Sequence, residues 1–302
     1  MSQTLAMSIY RPKGTLKGCV TVVHGMAEHR TRYEGLAKYL ADHGYGVITY
    51  DLPGHGDSCS KEDLGWFGES GGWDTLVNSA VEMVSATKKE FPNVPHYLIG
   101  HSMGTIISRC FLQDHDGLVD GVILSGAPNY QSAAGAGIAV GKVLSVFKGK
   151  RGHSKMMDNM VTGGFNKQIE NPRTDVDWLS FNEDNVNDYI ADPLDGFGFT
   201  IQGYIDELTG IQRMHDTARF HCTNKSLPIW IFAGDSDPCA GGTEGLQDSV
   251  NTLKSAGYED VTFKQWPHMR HETMHEKNCM DVYEEILTWL DSHTDQPQKT
   301  AE

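Results

Sequence analysis

The sequence predicts an α/β protein with a mostly parallel central sheet that helices cover on both faces. Two observations support this fold class. Runs of strand length, rich in β-branched and aromatic residues, alternate with segments whose apolar residues recur at helical spacing, which is typical of βαβ units. The alternation is interrupted only once, between residues 128 and 227. We therefore expect one core, formed by residues 1–127 and 228–302, and an inserted cap formed by residues 128–227.

Length and composition narrow the functional classes. A chain of 302 residues can bury a full core. The formal net charge of −15 argues against nucleic-acid partners and against electrostatic docking on anionic membranes. The six cysteines form no C-x-x-C pair, which favours free thiols in a reducing compartment. No signal peptide and no stretch of membrane-spanning length is recognisable, so a cytoplasmic protein is expected.

The elements of the first core segment follow from these local patterns. Strands are predicted at residues 19–23, 45–50, 97–99 and 121–125. A helix that carries Tyr33, Leu36 and Leu40 on one face separates the first two strands and ends near Gly44. A second helix, marked by apolar residues from Trp73 to Val84, precedes the third strand.

The second half begins with the irregular cap, in which helical patches are expected at residues 138–147 and 156–160. Strands then follow at 229–232 and 261–266, and helices at 246–254 and 282–290. Three glycines at positions 135, 137 and 141 suggest a dinucleotide loop. Their last spacing is one residue too long for G-x-G-x-x-G, so we expect close helix packing there instead.

The third strand runs directly into Gly-His-Ser-Met-Gly at residues 100–104. Apolar residues at helical spacing follow, among them Ile106, Ile107 and Phe111. G-x-S-x-G between a strand and a helix is a nucleophile elbow, in which a strained turn exposes the serine hydroxyl. The flanking glycines let neighbouring backbone pass without a Cβ clash. Ser102 is therefore the predicted nucleophile.

A serine hydroxyl needs a base to take its proton and a third group to orient that base. In α/β-hydrolases these groups follow the serine in the order acid, histidine, on loops after later strands. The loop after the strand at 229–232 contains Asp235 and Asp237. The loop after the strand at 261–266 contains His268 and His271, with His275 close behind. The residue types and their order fit a triad and leave these alternatives open.

Several longer motifs are distributed over nearly the whole chain. They are HGMAEH with Arg32-Tyr33 at residues 24–33, DLPGHGDS at 51–58, the elbow at 100–104, GDSD at 234–237 and RHE at 270–272. Within the cap, DWLS at 177–180 and DPLDGF at 192–197 belong to the same set. In this order the motifs resemble those of monoglyceride lipases and bacterial lysophospholipase-like hydrolases.

The resemblance implies a Ser102–Asp237–His271 triad in an α/β-hydrolase fold. It also implies an oxyanion hole from the backbone N–H groups of Met26 and Met103, which agrees with the usual positions of such donors. Further implied substrate-binding residues are Gly25 and His101.

Two residues depart from the family pattern. Thr105 stands where a small residue often follows the elbow, and Pro238 directly follows the expected acid. Neither belongs to the triad, and both are expected to affect the shape of the pocket.

Residues 271–275, HETMH, also match the zinc motif H-E-x-x-H. On a helix this motif places two histidines on one face, with the glutamate as general base. A strand and Pro267 lie just upstream, which favours a loop around His271. We therefore expect neither a metal nor a cofactor.

The sequence as a whole predicts a serine carboxylic-ester hydrolase that acts on monoacyl lipids, a monoglyceride or a lysophospholipid. The alternative on the same triad is a peptidase or amidase. The expected partner is a small acyl ester, without nucleic acid and with at most peripheral membrane contact through the cap; the oligomeric state is left open. Apolar cap residues are candidates for an acyl channel or for the core of the cap, namely Met156, Met157, Met160, Phe165 and Trp178.

Overall fold

The computed structural model of the chain describes residues 4–294. Within them lies a seven-stranded sheet in the order β1-β3-β2-β4-β5-β6-β7. The strands are β1 (Met7–Tyr10), β2 (Gly18–Val23), β3 (Tyr45–Tyr50), β4 (His96–His101), β5 (Gly121–Ser125), β6 (Ile229–Gly234) and β7 (Val261–Trp266). Only β1 is antiparallel to its neighbour, and the other described pairs are parallel. The predicted fold class is confirmed.

The sequence did not predict β1. This strand has only four residues, and none of its side chains is fully buried. It pairs along one side with β3, from Met7 opposite Tyr50 to Tyr10 opposite Val47. A short edge strand lacks the buried alternation on which sequence assignment depends.

Helices surround the sheet. They are α1 (Glu34–Asp42), α2 (Gly72–Glu90), α3 (Met103–His115), α4 (Ala134–Lys148), α5 (Lys155–Val161), α6 (Glu183–Ala191), α7 (Ile201–His215), α8 (Gly242–Ser255) and α9 (Cys279–Thr294). The predicted core helices are all present. Helices α2, α8 and α9 extend beyond the predicted residues, whereas α1 begins only after Tyr33, which belongs to a 3-10 turn. None of the helices in residues 4–294 combines the length and the apolar character that crossing a bilayer requires.

Two hydrophobic clusters cover the two faces of the sheet. One contains Leu36 and Leu40 of α1 together with Ile286 and Leu290 of α9. The other unites the apolar faces of α2, α3 and α8. Strands β2 to β6 are buried along their whole length, which explains why their sequences are continuous apolar runs.

The segment 128–227 contains four helices, more than the irregular patches that the sequence suggested. Helices α6 and α7 were not predicted. In α7, two glycines and two buried carboxylates interrupt the apolar pattern. Helix α4 packs closely on α7: a Cβ atom at Gly141 would lie 2.6 Å from Ile205, and one at Gly137 would lie 2.8 Å from Leu208. The expected role of these glycines in helix packing is confirmed.

Helix α7 also packs on the core. A Cβ atom at Gly210 would lie 2.2 Å from the ring of Trp73 on α2. Apolar residues of α5 and α7, such as Met157 and Leu208, belong to the same hydrophobic cluster as α2 and α3. The segment therefore shares its apolar core with the sheet domain. Its boundaries at 128 and 227 stay a prediction.

Candidate active site

Ser102 lies in a sharp turn between β4 and α3. Its backbone adopts φ 51° and ψ −120°, a region that residues other than glycine rarely occupy. Such a conformation costs about 1–3 kcal/mol and persists only where the surroundings enforce it. Hydrogen bonds on both sides of the turn do so, because the Ser102 N–H donates to Ser125 O (2.9 Å) and its carbonyl accepts from the Thr105 N–H (2.8 Å).

The two glycines of the elbow are sterically required. A Cβ atom at Gly104 would lie 2.2 Å from the carbonyl oxygen of Val23, and one at Gly100 would lie 2.6 Å from the carbonyl oxygen of Gly104. No real Cβ approaches backbone so closely, so a side chain at either position would push strand and helix apart. The elbow predicted from five residues is present with the expected close packing.

His271 and Asp237 form a buried pair beside this turn. His271 Nδ1 lies 2.9 Å from Asp237 Oδ2, and the other carboxylate oxygen accepts from the Cys239 N–H at 2.8 Å. Both side chains are almost fully buried. The carboxylate fixes the tautomer in which Nδ1 carries a proton and Nε2 is free to accept one. Burial lowers the pKa of His271, but the Asp237 carboxylate outweighs it, so the net pKa is raised above 6.5.

The expected hydrogen bond between His271 and Ser102 is not formed in this structure. His271 Nε2 is buried and has no partner among residues 4–294. Ser102 and His271 nevertheless line the same cavity. Bonds between a nucleophile and its base are often long in a free enzyme and tighten when substrate binds.

The rival acid and the rival bases lie elsewhere. Asp235 is exposed and accepts from Ser236 Oγ (2.9 Å) and from the His268 N–H (3.1 Å), as a turn-forming residue does. His268 is exposed in the same turn. His275 Nε2 donates to the carbonyl of Arg32 at 2.9 Å. The structure therefore brings Asp237, and not Asp235, to His271.

The HETMH stretch does not form a zinc-binding helix. Residues 273–275 form a short 3-10 turn, and α9 begins only at Cys279. Of its three potential metal-binding residues, His271 contacts Asp237, Glu272 contacts Arg32 and His275 contacts the Arg32 carbonyl. Their donor atoms do not come together among residues 4–294.

The loop after β2 holds Gly25 and Met26 against the elbow. A Cβ atom at Gly25 would lie 2.9 Å from Ser102 Cβ, so only glycine fits there. His24 Nδ1 donates to the Gly25 carbonyl (2.8 Å), and the Gly25 N–H donates to Glu28 Oε1 (2.5 Å). This fixes the peptides around Met26, which lines the cavity together with Met103 and His101. Each residue predicted for the oxyanion hole or for substrate binding thus borders the cavity.

A buried charge cluster supports this loop, and sequence reasoning assigned it no role although its residues lie in the quoted motifs. Arg32 donates to Glu28 at 2.8 Å, to Glu272 at 2.6 Å and to Asn185 of α6 at 3.0 Å. Burial alone would raise the pKa values of the two glutamates, but Arg32 outweighs it and lowers both. The cluster therefore ties the loop after β2 to the loop after His271 and to α6 of the segment 128–227.

Gly126, directly after β5, was also missed. Its φ of +57° is in the left-handed region, and a Cβ atom there would lie 3.0 Å from the ring of His101 and 3.1 Å from that of His271. The glycine lets both imidazoles approach the elbow. A glycine at the carboxyl end of a parallel strand was the available signal.

The cavity has a volume of about 570 Å³, in the range of small-molecule sites. Phe165 and Trp178 of the segment 128–227 line it, and the Trp178 ring lies 4.8 Å from that of His271. The three methionines of this segment do not line the cavity: Met157 is buried in the core, while Met156 and Met160 are exposed. Thr105 and Pro238 do not line this cavity, and their expected effect on its shape stays a prediction.

Comparison with known proteins agrees with this geometry. A family model described as serine aminopeptidase, S33 (Hydrolase_4) matches residues 14–278. The chain belongs to this family. It is an α/β-hydrolase of the monoglyceride lipase and lysophospholipase type, as its motifs predicted.

Similar proteins of this family cover nearly the full chain. A monoacylglycerol lipase of Mycolicibacterium smegmatis is 29% identical, over 96% of this chain and 93% of its own. A monoglyceride lipase of Mus musculus is 26% identical, over 91% of this chain and 86% of its own. Among solved structures, a thermostable carboxyl esterase of Bacillus coagulans in complex with glycerol is 28% identical and superposes with a TM-score of 0.87, covering 95% of this chain and 94% of that one.

Proposed function

We propose that the protein hydrolyses carboxylic esters of monoacyl lipids, with Ser102 as nucleophile, His271 as base and Asp237 as the orienting acid. The observation that carries this proposal is the buried His271–Asp237 pair, whose His271 lines the same cavity as a serine held at positive φ. A strained serine destabilises the folded chain. Its place beside a buried histidine–aspartate pair therefore supports a catalytic role for these three groups and not a structural one.

The mechanism follows from the atoms. Ser102 Oγ attacks the ester carbonyl and gives its proton to His271 Nε2, while the Asp237 carboxylate stabilises the imidazolium through Nδ1–H. The backbone N–H groups of Met26 and Met103 hold the oxyanion. His271 then protonates the leaving alcohol. A water deprotonated by His271 releases the acyl group and restores Ser102.

The substrate class rests on the cavity and on the relatives. Phe165, Trp178 and Ile106 give the cavity apolar surface suited to an acyl chain. The Mus musculus and Mycolicibacterium smegmatis relatives, which match almost the whole chain, are named monoglyceride lipase and monoacylglycerol lipase. The segment 128–227 acts in this proposal as a cap over the site.

We further propose peripheral contact of this cap with lipid surfaces. Val146 and Phe147 at the end of α4 are 79% and 82% exposed, and Met156 on α5 is 50% exposed. Large apolar side chains that project from a cap can enter the interface of a lipid aggregate.

A cytoplasmic location is part of the same proposal. All six cysteines are free, and Cys19, Cys110 and Cys239 are buried. Free thiols of this kind suit a reducing compartment.

The deciding experiment measures kcat/KM for short esters, monoacylglycerols, lysophospholipids, diacylglycerols and aminoacyl amides. We expect monoacyl esters to be the best substrates. A fluorophosphonate should label the wild type and Ser236→Ala, which changes an exposed serine of the acid loop, but not Ser102→Ala. Equal or better turnover of the aminoacyl amides would instead favour the peptidase alternative.

A further inference from the structure

A carboxyl group outside the triad lies in the wall of the active-site cavity. Glu207 is on α7, is only 5% exposed and lines the cavity. Its Oε2 atom has no hydrogen-bond partner. Among residues 4–294, the cavity lining contains only one other buried side-chain polar atom without a partner, Nε2 of the proposed base His271.

The helices that form this part of the wall contribute polar side chains, Asp158 and Asn159 of α5 among them, as well as apolar ones. Helix α7 packs against α3 and α5, and these helices present Ile106, Val161 and Ile211 to the cavity. A carboxyl group in such a wall destabilises the fold if it stays unpaired, because it loses water and gains no partner. A leucine at this position would avoid that cost. The unpaired carboxyl group of Glu207 therefore points to a ligand that completes its hydrogen bonds.

The protonation state of Glu207 limits the chemical classes of ligand that it can bind. Burial raises the pKa of Glu207 to about 8, and the nearby carboxylate of Asp158 adds to this. Asp158 accepts from Tyr204 Oη at 2.7 Å, and Glu207 Oε2 has no hydrogen bond to it or to any other residue among 4–294. At neutral pH Glu207 is a neutral acid with one donor and one acceptor. A hydroxyl group, which also donates and accepts, matches it better than an ammonium group, which only donates.

We propose that Glu207 is a specificity residue that binds a hydroxyl group on the acyl chain, so that the preferred substrates are monoesters of hydroxylated acids. This rests on the proposed ester hydrolysis at Ser102 and adds a substrate class to it. The hydroxyl would complete the hydrogen bonds of Glu207, while Ile106, Val161 and Ile211 would contact the methylene groups of the chain.

The test compares glycerol monoesters of decanoic acid with those of its hydroxy isomers, the hydroxyl moved along the chain, and with an amino-decanoate. For the wild type we expect at least one hydroxy ester to exceed the plain ester by about tenfold in kcat/KM, with the amino ester below both. Glu207→Leu, which keeps the volume but not the hydrogen bonds, should favour the plain ester. Glu207→Gln should retain part of the preference. Asp206→Asn is the matched control, since this neighbouring carboxyl is equally buried but does not line the cavity.

A pH series adds a readout that a structural role would not produce. Above a pH of about 8 the ionised Glu207 disfavours a plain chain and accepts a stronger hydrogen bond from a hydroxyl. The ratio of kcat/KM for hydroxy to plain ester should therefore rise through this pH in the wild type and stay flat in Glu207→Leu.

Binding separates this inference from the proposed function. Decanoic acid and the hydroxy acids are titrated calorimetrically into Ser102→Ala, with and without Glu207→Leu, which requires no turnover. Tighter binding of a hydroxy acid that disappears in Glu207→Leu supports the inference even if no ester is hydrolysed. Ester turnover in which neither the kcat/KM ratio nor binding depends on Glu207, or a preference for the amino ester, would overturn it and leave the esterase proposal standing.

Discussion

At the scale of single residues, the site depends on conformations and contacts that few side chains allow. Ser102 occupies a strained turn, and Gly25 fits between Glu28 and Ser102 only because it has no side chain. His271 receives its orientation from one carboxylate, Asp237. Two predictions concern this pair.

The first prediction compares the two aspartates of the acid loop. Asp237→Asn keeps the shape but offers an amide that favours the wrong imidazole tautomer, so kcat should fall by about 10⁴-fold. Asp235→Asn, in the exposed turn, should stay within about tenfold of wild type. Steady-state kinetics on a soluble ester and circular dichroism of both variants provide the measurement. A larger loss in Asp235→Asn would assign the acid to that residue.

The second prediction concerns pH. The Asp237 carboxylate holds the pKa of His271 above 6.5 against the opposing effect of burial. Only neutral His271 can accept the Ser102 proton, so kcat/KM should fall as pH drops through this raised pKa. In Asp237→Asn burial remains and the carboxylate is lost, so the acidic limb should move to lower pH. Profiles of kcat/KM from pH 4.5 to 9 would show it, and an unmoved limb would contradict the assigned pairing.

At the scale of elements, loops at the carboxyl ends of the parallel strands carry the site. The elbow follows β4, the acid loop follows β6 and the base loop follows β7. Arg32 joins the loop after β2 to the base loop through Glu28 and Glu272. The base loop is therefore held by an ion-pair cluster, although residues 271–275 match a zinc motif in sequence.

The third prediction separates these two interpretations of the loop after β7. His271→Ala should be inactive, whereas His275→Ala should retain activity within about tenfold, since it removes one hydrogen bond to a backbone carbonyl. Glu272→Gln should lower the free energy of unfolding by up to about 3 kcal/mol, because it weakens a buried ion pair.

Chelation provides the control. EDTA or phenanthroline should leave ester hydrolysis unchanged, because no step of the triad mechanism uses a metal. Inactivation by chelator that added zinc reverses, together with an inactive His275→Ala, would restore the zinc hypothesis.

At the scale of the whole molecule, the net charge and the exposed apolar surface have opposite effects on binding to lipid surfaces. The net charge of −15 opposes binding to anionic lipid. The exposed side chains of Val146 and Phe147 favour insertion into an interface. Neutral lipid aggregates are therefore the surfaces on which the protein should act best.

The fourth prediction tests this apolar surface. The double variant Val146→Gln, Phe147→Gln should bind zwitterionic vesicles at least about tenfold more weakly, since inserting each side chain contributes on the order of 1–2 kcal/mol. It should hydrolyse a soluble short ester at the wild-type rate. Met280→Gln, an exposed apolar residue on α9 outside the cap, is the matched control. Equal vesicle binding by all three proteins would show that the cap does not contact lipid.

Local patterns in the sequence were sufficient for most of the fold. Strands β2 to β7 and the core helices have periodicities of two or 3.6 residues, or continuous apolar runs, and these depend only on neighbouring residues. The elbow could be recognised for the same reason, because Gly100, Ser102 and Gly104 act within five residues. Motif order also indicated the loops that hold Asp237 and His271.

Contacts between distant residues were decided by the tertiary structure alone. The family resemblance implied Asp237 as the acid, but residue spacing does not show that His271 lies against Asp237 and not Asp235. Nor does it show that Arg32 pairs with a glutamate 240 positions away. Helix α7 was not predicted, because buried polar residues such as Glu207 interrupt its apolar pattern. Only the tertiary structure shows that this carboxyl group lines the active-site cavity. The physical reason is that burial and hydrogen-bond satisfaction are properties of the packed chain, whereas periodicity is a property of the local chain.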